Sequence, residues 1–588
     1  MRLTARWATI LLALPGSFWA CKEPGEEERL HLLFEREWEG RLAENPLLAT
    51  SAGRHDFDHL LPSVTAEDER KRAGLAMEFL EESAGIRQDV LSLSGRISLD
   101  IFRREQMERI TAFQFGAHEI PINADSGFHI SFARLPDRMP FDSTRAYENY
   151  IARLNAFPAY VDQHIDNMRT GLARGMTLPR VVLEGYDVTI STHAVAAPED
   201  SVFFAPFATF PAAVPERDRA RILAAGRESV MNGAVAGYRA FLEFMTNEYI
   251  PGARESIGAS ELPDGSAYYA YLVKHFTTLD VTPAEVHRIG LKEVERIREE
   301  MNAAIRETGF QGDFAAFLQF LRSDPRFYAK TPEELLQRAS FIAKRMDAKL
   351  PSLFHTLPRQ PYGVARVPDH LAPKYTGGRY VGAPKDGTRP GYYWVNTYNL
   401  SSRPLYTLEA LTLHEAVPGH HIQNALADEL EGLPEFRKHA YFGAFGEGWG
   451  LYSERLGLEA GFYTDPYSNF GRLSYEMWRA CRLVVDTGIH SMGWTRQQAM
   501  DYMAERTALS LHEIRTETDR YIAWPGQALT YKMGELKFLE LRRKAESALG
   551  GKFDIREFHD LILSNGEVPL PVLEELVDQY IESASERA

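Results

Sequence analysis

The chain has few cysteines, two in 588 residues, Cys21 and Cys481. If Cys21 carries a lipid, Cys481 has no partner and no internal disulfide can form. Basic residues are outnumbered, 66 Lys and Arg against 82 Asp and Glu, for a net charge of −16 and a pI near 5.7. No basic stripe exists to follow a phosphate backbone, which argues against nucleic acid as a partner. Repeats of fixed period, heptad arrays and low-complexity blocks are absent. So is the regular alternation of strands and helices that a two-lobed solute-binding protein would show. The apolar run Trp7–Leu14 is too short to span a bilayer. The composition, 44% apolar and 25% charged, is that of a soluble globular protein with ample core.

The first twenty residues stand apart. Arg2 and Arg6 precede the apolar run, and small or apolar residues lead to Cys21. Charge, length and flanks are those of a secretory signal peptide over 1–20. "SFWAC" ends in Ala-Cys, as the lipobox of bacterial lipoproteins does, with Phe18 in the place Leu usually holds. The chain is therefore expected in the cell envelope or periplasm. A lipid on Cys21 would be its only membrane contact. Cleavage removes two arginines and no acid, taking the charge from −16 to −18. Residues 21–30 read as a polar tether.

Helical periodicity dominates from about residue 28. Thr282-Pro283-Ala284-Glu285 combines an N-cap, a proline at the first helical position and a capping-box Glu, and predicts a helix to about Thr308, stopped by Gly309. Thr331-Pro332-Glu333-Glu334 repeats the signal as far as about Leu350. Further helices are predicted over roughly 66–93, 143–173, 216–249, 466–491, 526–548 and 569–585. Residues 355–404 differ, being rich in Pro, Gly, Tyr and Val, with strand signals at Tyr392–Val395. A small sheet there would lie just before His414 and could offer an edge strand to an extended peptide. His55, His118, His129, His164 and His193 lack metal spacing and read as structural.

The chemistry is concentrated in "TLHEAVPGHHIQ" and "GEGWGLYSE". His414-Glu415, a further His a turn or two later, and Glu447 make up a set of zinc-ligand types with an adjacent carboxylate. Catalytic zinc takes three protein ligands and leaves a position for water, and the Glu beside the first His takes a proton from that water. The cluster predicts metal-assisted hydrolysis, foremost of a peptide bond. The usual H-E-x-x-H spacing is broken, since Pro418 stands at i+4. His420 at i+6 lies about 240° round an ideal helix, and His421 at i+7 lies about 10 Å further along it. Pro418 and Gly419 can supply the needed distortion. Gly419 directly before His420 favours His420; His421 stays open as the alternative.

With "HEAVPGHHIQ", "EGWGLYSERLG" and "RYIAWPGQALTYKMG" in hand, the chain resembles family 885 of the domains of unknown function over about residues 30–585. That family comprises bacterial proteins, many of them candidate lipoproteins. It is in turn similar to gluzincin-type helical peptidases such as angiotensin-converting enzyme, thimet oligopeptidase and the carboxypeptidase Taq group. The resemblance implies a mainly α fold, with two helical halves (31–280 and 281–588) around a deep cleft and a small β element near the active site. It implies Zn2+ held by His414, by His420 or His421, and by Glu447, with Glu415 as general base. Glu454 is a rival third ligand or a group orienting a ligand His. Oxyanion donors in such enzymes are Tyr and His side chains, which points to Tyr521, Tyr531 and His490. Asp486 and His490, four apart, can pair on one helical face. Arg520 has the fork for a substrate carboxylate or for an ion pair with Glu517.

The expected activity is zinc-dependent hydrolysis of short peptides. The alternatives are an amidase or esterase acting on another small molecule, and a non-catalytic binding lipoprotein. Retention of Glu415 speaks against the last.

Overall fold

The computed structural model describes residues 25–124, 126–369, 371–372, 375–384 and 389–586. The expected signal peptide and Cys21 lie outside the described residues. The fold is mainly α. Thr282 and Glu285 form the capping box at the head of a helix over Pro283–Thr308, and Gly309 ends it with φ of 72°. The second proline-headed helix runs Pro332–Asp347. Helices over Thr144–Arg174, Pro466–Met492, Thr530–Leu549 and Leu570–Glu586 lie where the periodicity predicts them. The helix expected over 66–93 closes at Ala84, where Gly85 follows.

The expected tether is shorter than its composition suggests. A helix already begins at Glu26, with Glu26, Glu27 and Glu28 in its first turn and Leu30 buried. Acidic side chains favour a helix N-terminus, where they meet the positive end of the backbone dipole. Polarity is common to a linker and to such a turn, so composition alone does not separate them.

The hydrophobic cores divide the chain differently from a cut at residue 280. One core is drawn from residues 122–253, joined by Ala523. Another combines residues 30–102 with residues 294–584. The first helices thus pack with the C-terminal half. Phe436 meets the rings of Phe34 and Phe102 at centroid distances of 4.8 and 5.7 Å. Within that core Lys532 is fully buried, its Nζ 2.8 Å from Glu476, 2.5 Å from Glu535 and 3.2 Å from Glu293. These contacts tie the Pro283–Thr308, Pro466–Met492 and Thr530–Leu549 helices together. A buried ammonium is tolerated only when its charge and donors are matched in this way.

The sheet predicted around residues 392–395 is present. Strands Tyr362–Arg366 (β1), Gly378–Val381 (β2) and Gly391–Val395 (β3) lie in the order β1–β3–β2. β1 runs parallel and β2 antiparallel to β3, with Tyr380 opposite Tyr393. β2 therefore forms an edge. Among the described residues, no helix is long and apolar enough to cross a membrane.

Candidate metal centre

The HE motif does not continue as one helix. One helix, Leu408–Glu415, carries His414 and Glu415, and a second, His420–Asp428, starts after four intervening residues. The chain crosses between them through Ala416 (ψ −108°) and Gly419 (ψ −129°). Gly419 donates to the carbonyl of Leu413 at 3.0 Å. A Cβ at Gly419 would lie 1.8 Å from the carbonyl oxygen of His414, so only glycine fits this crossing. The crossing removes the angular objection to His420. It turns that side chain back onto the His414 face, where the two rings lie 4.8 Å apart at 84°.

Glu447 comes from a third helix, Gly443–Glu459. One turn further on, Gly450 makes room for the imidazole, since a Cβ there would lie 2.6 Å from His414 Cε1. Glu447 Oε2 then sits 3.4 Å from His414 Nε2 and 3.6 Å from His420 Nε2. Bonds of about 2.0–2.1 Å around a tetrahedral zinc would separate ligand atoms by about 3.3–3.4 Å. Among the described residues, this is the one group of three His, Cys, Asp or Glu side chains whose ligand atoms converge, all within 4.8 Å of one another.

The remaining imidazole nitrogens are held. His414 Nδ1 lies 2.8 Å from Glu454 Oε1, and His420 Nδ1 lies 3.1 Å from Gln423 Oε1. An acceptor at Nδ1 places the proton there and leaves the Nε2 lone pair for an ion. Burial opposes charge at His414, but the carboxylates of Glu447 and Glu454 outweigh it and raise its pKa to about 9. Burial likewise opposes ionisation of Glu447, while hydrogen bonds from His414 and His420 hold it well below the usual carboxylate range. Protons and any divalent cation bound here would compete for the same three groups.

Glu415 accepts from the backbone N–H of Tyr380 on the β2 edge at 2.8 Å. The same residue's hydroxyl lies 3.1 Å from His421 Nδ1. The His421 ring packs against that of Tyr362, centroids 4.6 Å apart and tilted by 39°, and burial lowers its pKa to about 4. It therefore anchors the sheet to the helix and takes no part in the trio, and the alternative ligand His421 is set aside. Glu454, by its contact with Nδ1, orients His414 instead of joining the ligand set. Arg479 in turn reaches Glu454 Oε1 at 3.3 Å.

Of the three oxyanion candidates, Tyr531 alone meets the centre. Its ring lies 6.5 Å from that of His414, beneath the Arg482 guanidinium at 4.3 Å. Burial, followed by the charge of Glu447, raises its pKa. Tyr521 is a correction. Its hydroxyl accepts from Trp478 Nε1 at 2.9 Å and Arg482 Nε at 2.8 Å and donates to Glu517 at 2.8 Å, with the residue 1% exposed. His490 is another. Its Nδ1 accepts from Ala259 N at 2.9 Å, its Nε2 donates to the carbonyl of Tyr521 at 3.0 Å, and burial lowers its pKa to about 3. Asp486 does not pair with His490 but accepts from the Tyr269 hydroxyl at 2.6 Å and from Gly526 N. Arg520 is held by Glu517 at 2.9 Å and Gln527 at 2.6 Å. In each case a nearer partner has taken the donor or acceptor that catalysis would need.

Sequence reasoning missed Gln423, Arg379 and Tyr441. Gln423 was within reach, since His and Gln three apart on a helix are neighbours. Arg379 lies on β2, where burial of its guanidinium opposes its charge and the nearby Tyr375, Glu415 and Glu447 outweigh that and raise its pKa. Tyr441, 67% exposed, lies just before the Glu447 helix, and its hydroxyl is affected by the charges of Glu447 and Glu567. Neither carried a local signal: β2 brings Arg379 to the centre from a distant segment, and Tyr441 lies outside the helical periodicity of Gly443–Glu459.

Comparison with curated proteins found no match. Among solved structures, a candidate lipoprotein from Colwellia psychrerythraea is 29% identical, with a TM-score of 0.87 over 95% of this chain and 100% of that one. A candidate lipoprotein of unknown function from Shewanella oneidensis is 17% identical, with a TM-score of 0.68 over 94% and 99% of the two chains, a likeness of fold. The family described as bacterial protein of unknown function, DUF885, matches residues 46–577, and the chain belongs to that family.

Proposed function

We propose that the protein is a zinc-dependent hydrolase of peptide bonds in short peptides. The observation that carries this reading is the trio His414, His420 and Glu447, with both Nδ1 atoms held by acceptors and Glu415 alongside. These donors, two imidazoles and one carboxylate, suit zinc. A zinc ion held by them would supply a water of lowered pKa and polarise a carbonyl.

The remaining steps belong to the chain's own residues. Glu415, with Oε2 fixed by Tyr380 N, would receive a proton at its other oxygen and pass it to the leaving nitrogen. Tyr531 would donate to the oxygen on which charge develops. The β2 edge would pair with an extended substrate backbone and so favour a peptide over other amides. Tethering by a lipid on Cys21 would place the activity in the cell envelope.

Two experiments test this. Purified protein is analysed for metal and then incubated with a peptide library with and without a chelator. Absence of a stoichiometric divalent metal, or cleavage indifferent to chelation, overturns the zinc reading. Fractionation of cells carrying Cys21→Ser tests the anchor: export should persist while the protein leaves the membrane fraction. Full-length cytoplasmic protein with Met1 intact would contradict it.

A further inference from the structure

Beside the His414 helix, where its Leu411 meets Gly377 and Val395 at the end of the sheet, lies a cavity of about 200 Å³ that the hydrolase reading does not use. Its wall includes Leu411 from the His414 helix, Ser474 and Tyr475 from the Pro466–Met492 helix, and Ser510 and Glu513 at the start of the Leu511–Ala523 helix, with Arg403 closing it from the loop after the sheet. At roughly 30 Å³ per water, this is space for on the order of six waters. That volume suits a single small amino acid.

Two opposite charges line this space, and neither is held in an ion pair, although Arg403 favours the charge of Glu513 from across it. Among the described residues, the Glu513 carboxylate makes no hydrogen bond or ion pair, and burial raises its pKa to about 7. Arg403 Nε is buried with no acceptor, and its Nη2 reaches only the carbonyl of Tyr375, at 3.5 Å. The two line one cavity yet do not pair with each other. Arg322, the other charged group of the wall, is already spent on the carbonyls of Ala504, Thr507 and Leu509. Leaving a charge partly buried and unmatched is unfavourable, and two such charges of opposite sign across one cavity are matched by a ligand bearing both.

We propose that this cavity is a binding site for a free α-amino acid in its zwitterionic form, the ammonium at Glu513 and the carboxylate at Arg403. The hydroxyls of Ser474 and Ser510 offer further contacts to a polar ligand. The site is linked to the metal centre through side chains. The ring of Tyr475, which lines the cavity, lies 4.6 Å beneath the Arg479 guanidinium, and Arg479 reaches the Glu454 that holds His414. Amino acids are products of complete peptide hydrolysis, so under the hydrolase reading the site would take a product. Its existence does not depend on that reading, because binding is measured without turnover.

The test is calorimetric titration of the full mature protein with the twenty free amino acids. Every binder is then compared with its decarboxylated amine and its deaminated acid. At least one amino acid should bind with Kd below about 1 mM, and each half-ligand should bind at least about tenfold more weakly. Glu513→Gln should weaken the amino acid and the amine about tenfold while sparing the acid, and Arg403→Met should do the reverse. No binding of any amino acid up to about 10 mM, or half-ligands that bind as well as the zwitterion, overturns the proposal. The half-ligands decide this on the unmutated protein, whatever the two variants do to folding. Binding without peptidase activity would leave this site standing and remove only the hydrolase reading.

Discussion

Glu454 Oε1 lies 2.8 Å from His414 Nδ1, so a carboxylate seven residues past Glu447 fixes the ring that Glu447 meets from the other side. Both acids project from one face of the Gly443–Glu459 helix, two turns apart, and they grip opposite nitrogens of one imidazole. The same helix therefore supplies a candidate ligand and the group that orients its neighbour.

Glu454→Gln tests that relationship. The amide can still accept from Nδ1 but carries no charge, and Arg479 loses its counterion. Loss of such a partner typically costs about 10- to 100-fold in metal affinity. Competition with a chromogenic chelator measures it, and an unchanged affinity would show that His414 needs no such support.

Glu415→Gln should lower peptide turnover by about 10² to 10⁴ with metal content unchanged. His414→Ala should lose metal and activity together. Metal analysis run beside a fluorogenic peptide assay separates the two, and turnover within about tenfold of the parent in Glu415→Gln would exclude Glu415 as the base.

His420→Ala and His421→Ala distinguish the adjacent histidines. The first should abolish stoichiometric metal binding. The second should retain it and lose only the contacts with Tyr362 and Tyr380, a cost of about 1–3 kcal/mol of stability. Metal loss in the second variant alone would reverse the assignment.

Tyr531→Phe and Tyr521→Phe should separate in the same way. Loss of one oxyanion donor costs about 10² to 10³ in kcat, expected for Tyr531→Phe with little change in melting temperature. Tyr521→Phe leaves Glu517 and Arg482 short of a partner and should appear as about 1–3 kcal/mol of lost stability. The outcome is read from kcat and thermal unfolding of both variants.

Asp486 supplies a pH dependence remote from the metal centre. Burial raises its pKa from 3.8 to about 7. The folded state therefore binds a proton that the unfolded state has released, and stability at this group falls as pH rises from about 4 to 7. Asp486→Asn keeps an oxygen for Tyr269 and Gly526 and removes the titration. Denaturant unfolding at several pH values should show that the variant loses less stability across this window than the parent. A parallel decline in both would place the dependence elsewhere.

Much of the fold was legible locally. Thr282 and Glu285 mark a helix start because capping is satisfied within four residues, and Gly309 marks its end because it alone tolerates the positive φ found there. The strand at Tyr392–Val395 declared itself by aromatic and β-branched residues. Glu26–Glu28 misled because acidic residues suit both a solvated tether and a helix N-terminus.

The sequence by itself determined the residue types of the centre: two histidines and Glu447 as ligand types, with Glu415 beside them. It could not choose between His420 and His421, because ideal helical angles do not apply across Ala416–Gly419, where the backbone leaves the helix. It could not rank Tyr531 above Tyr521 or His490 either. A buried tyrosine or histidine serves whichever partner packing brings nearest, and for Tyr521 those are Trp478, Arg482 and Glu517 from two helices. The tertiary structure decided these matters, because hydrogen-bond capacity is spent locally in space and not along the chain.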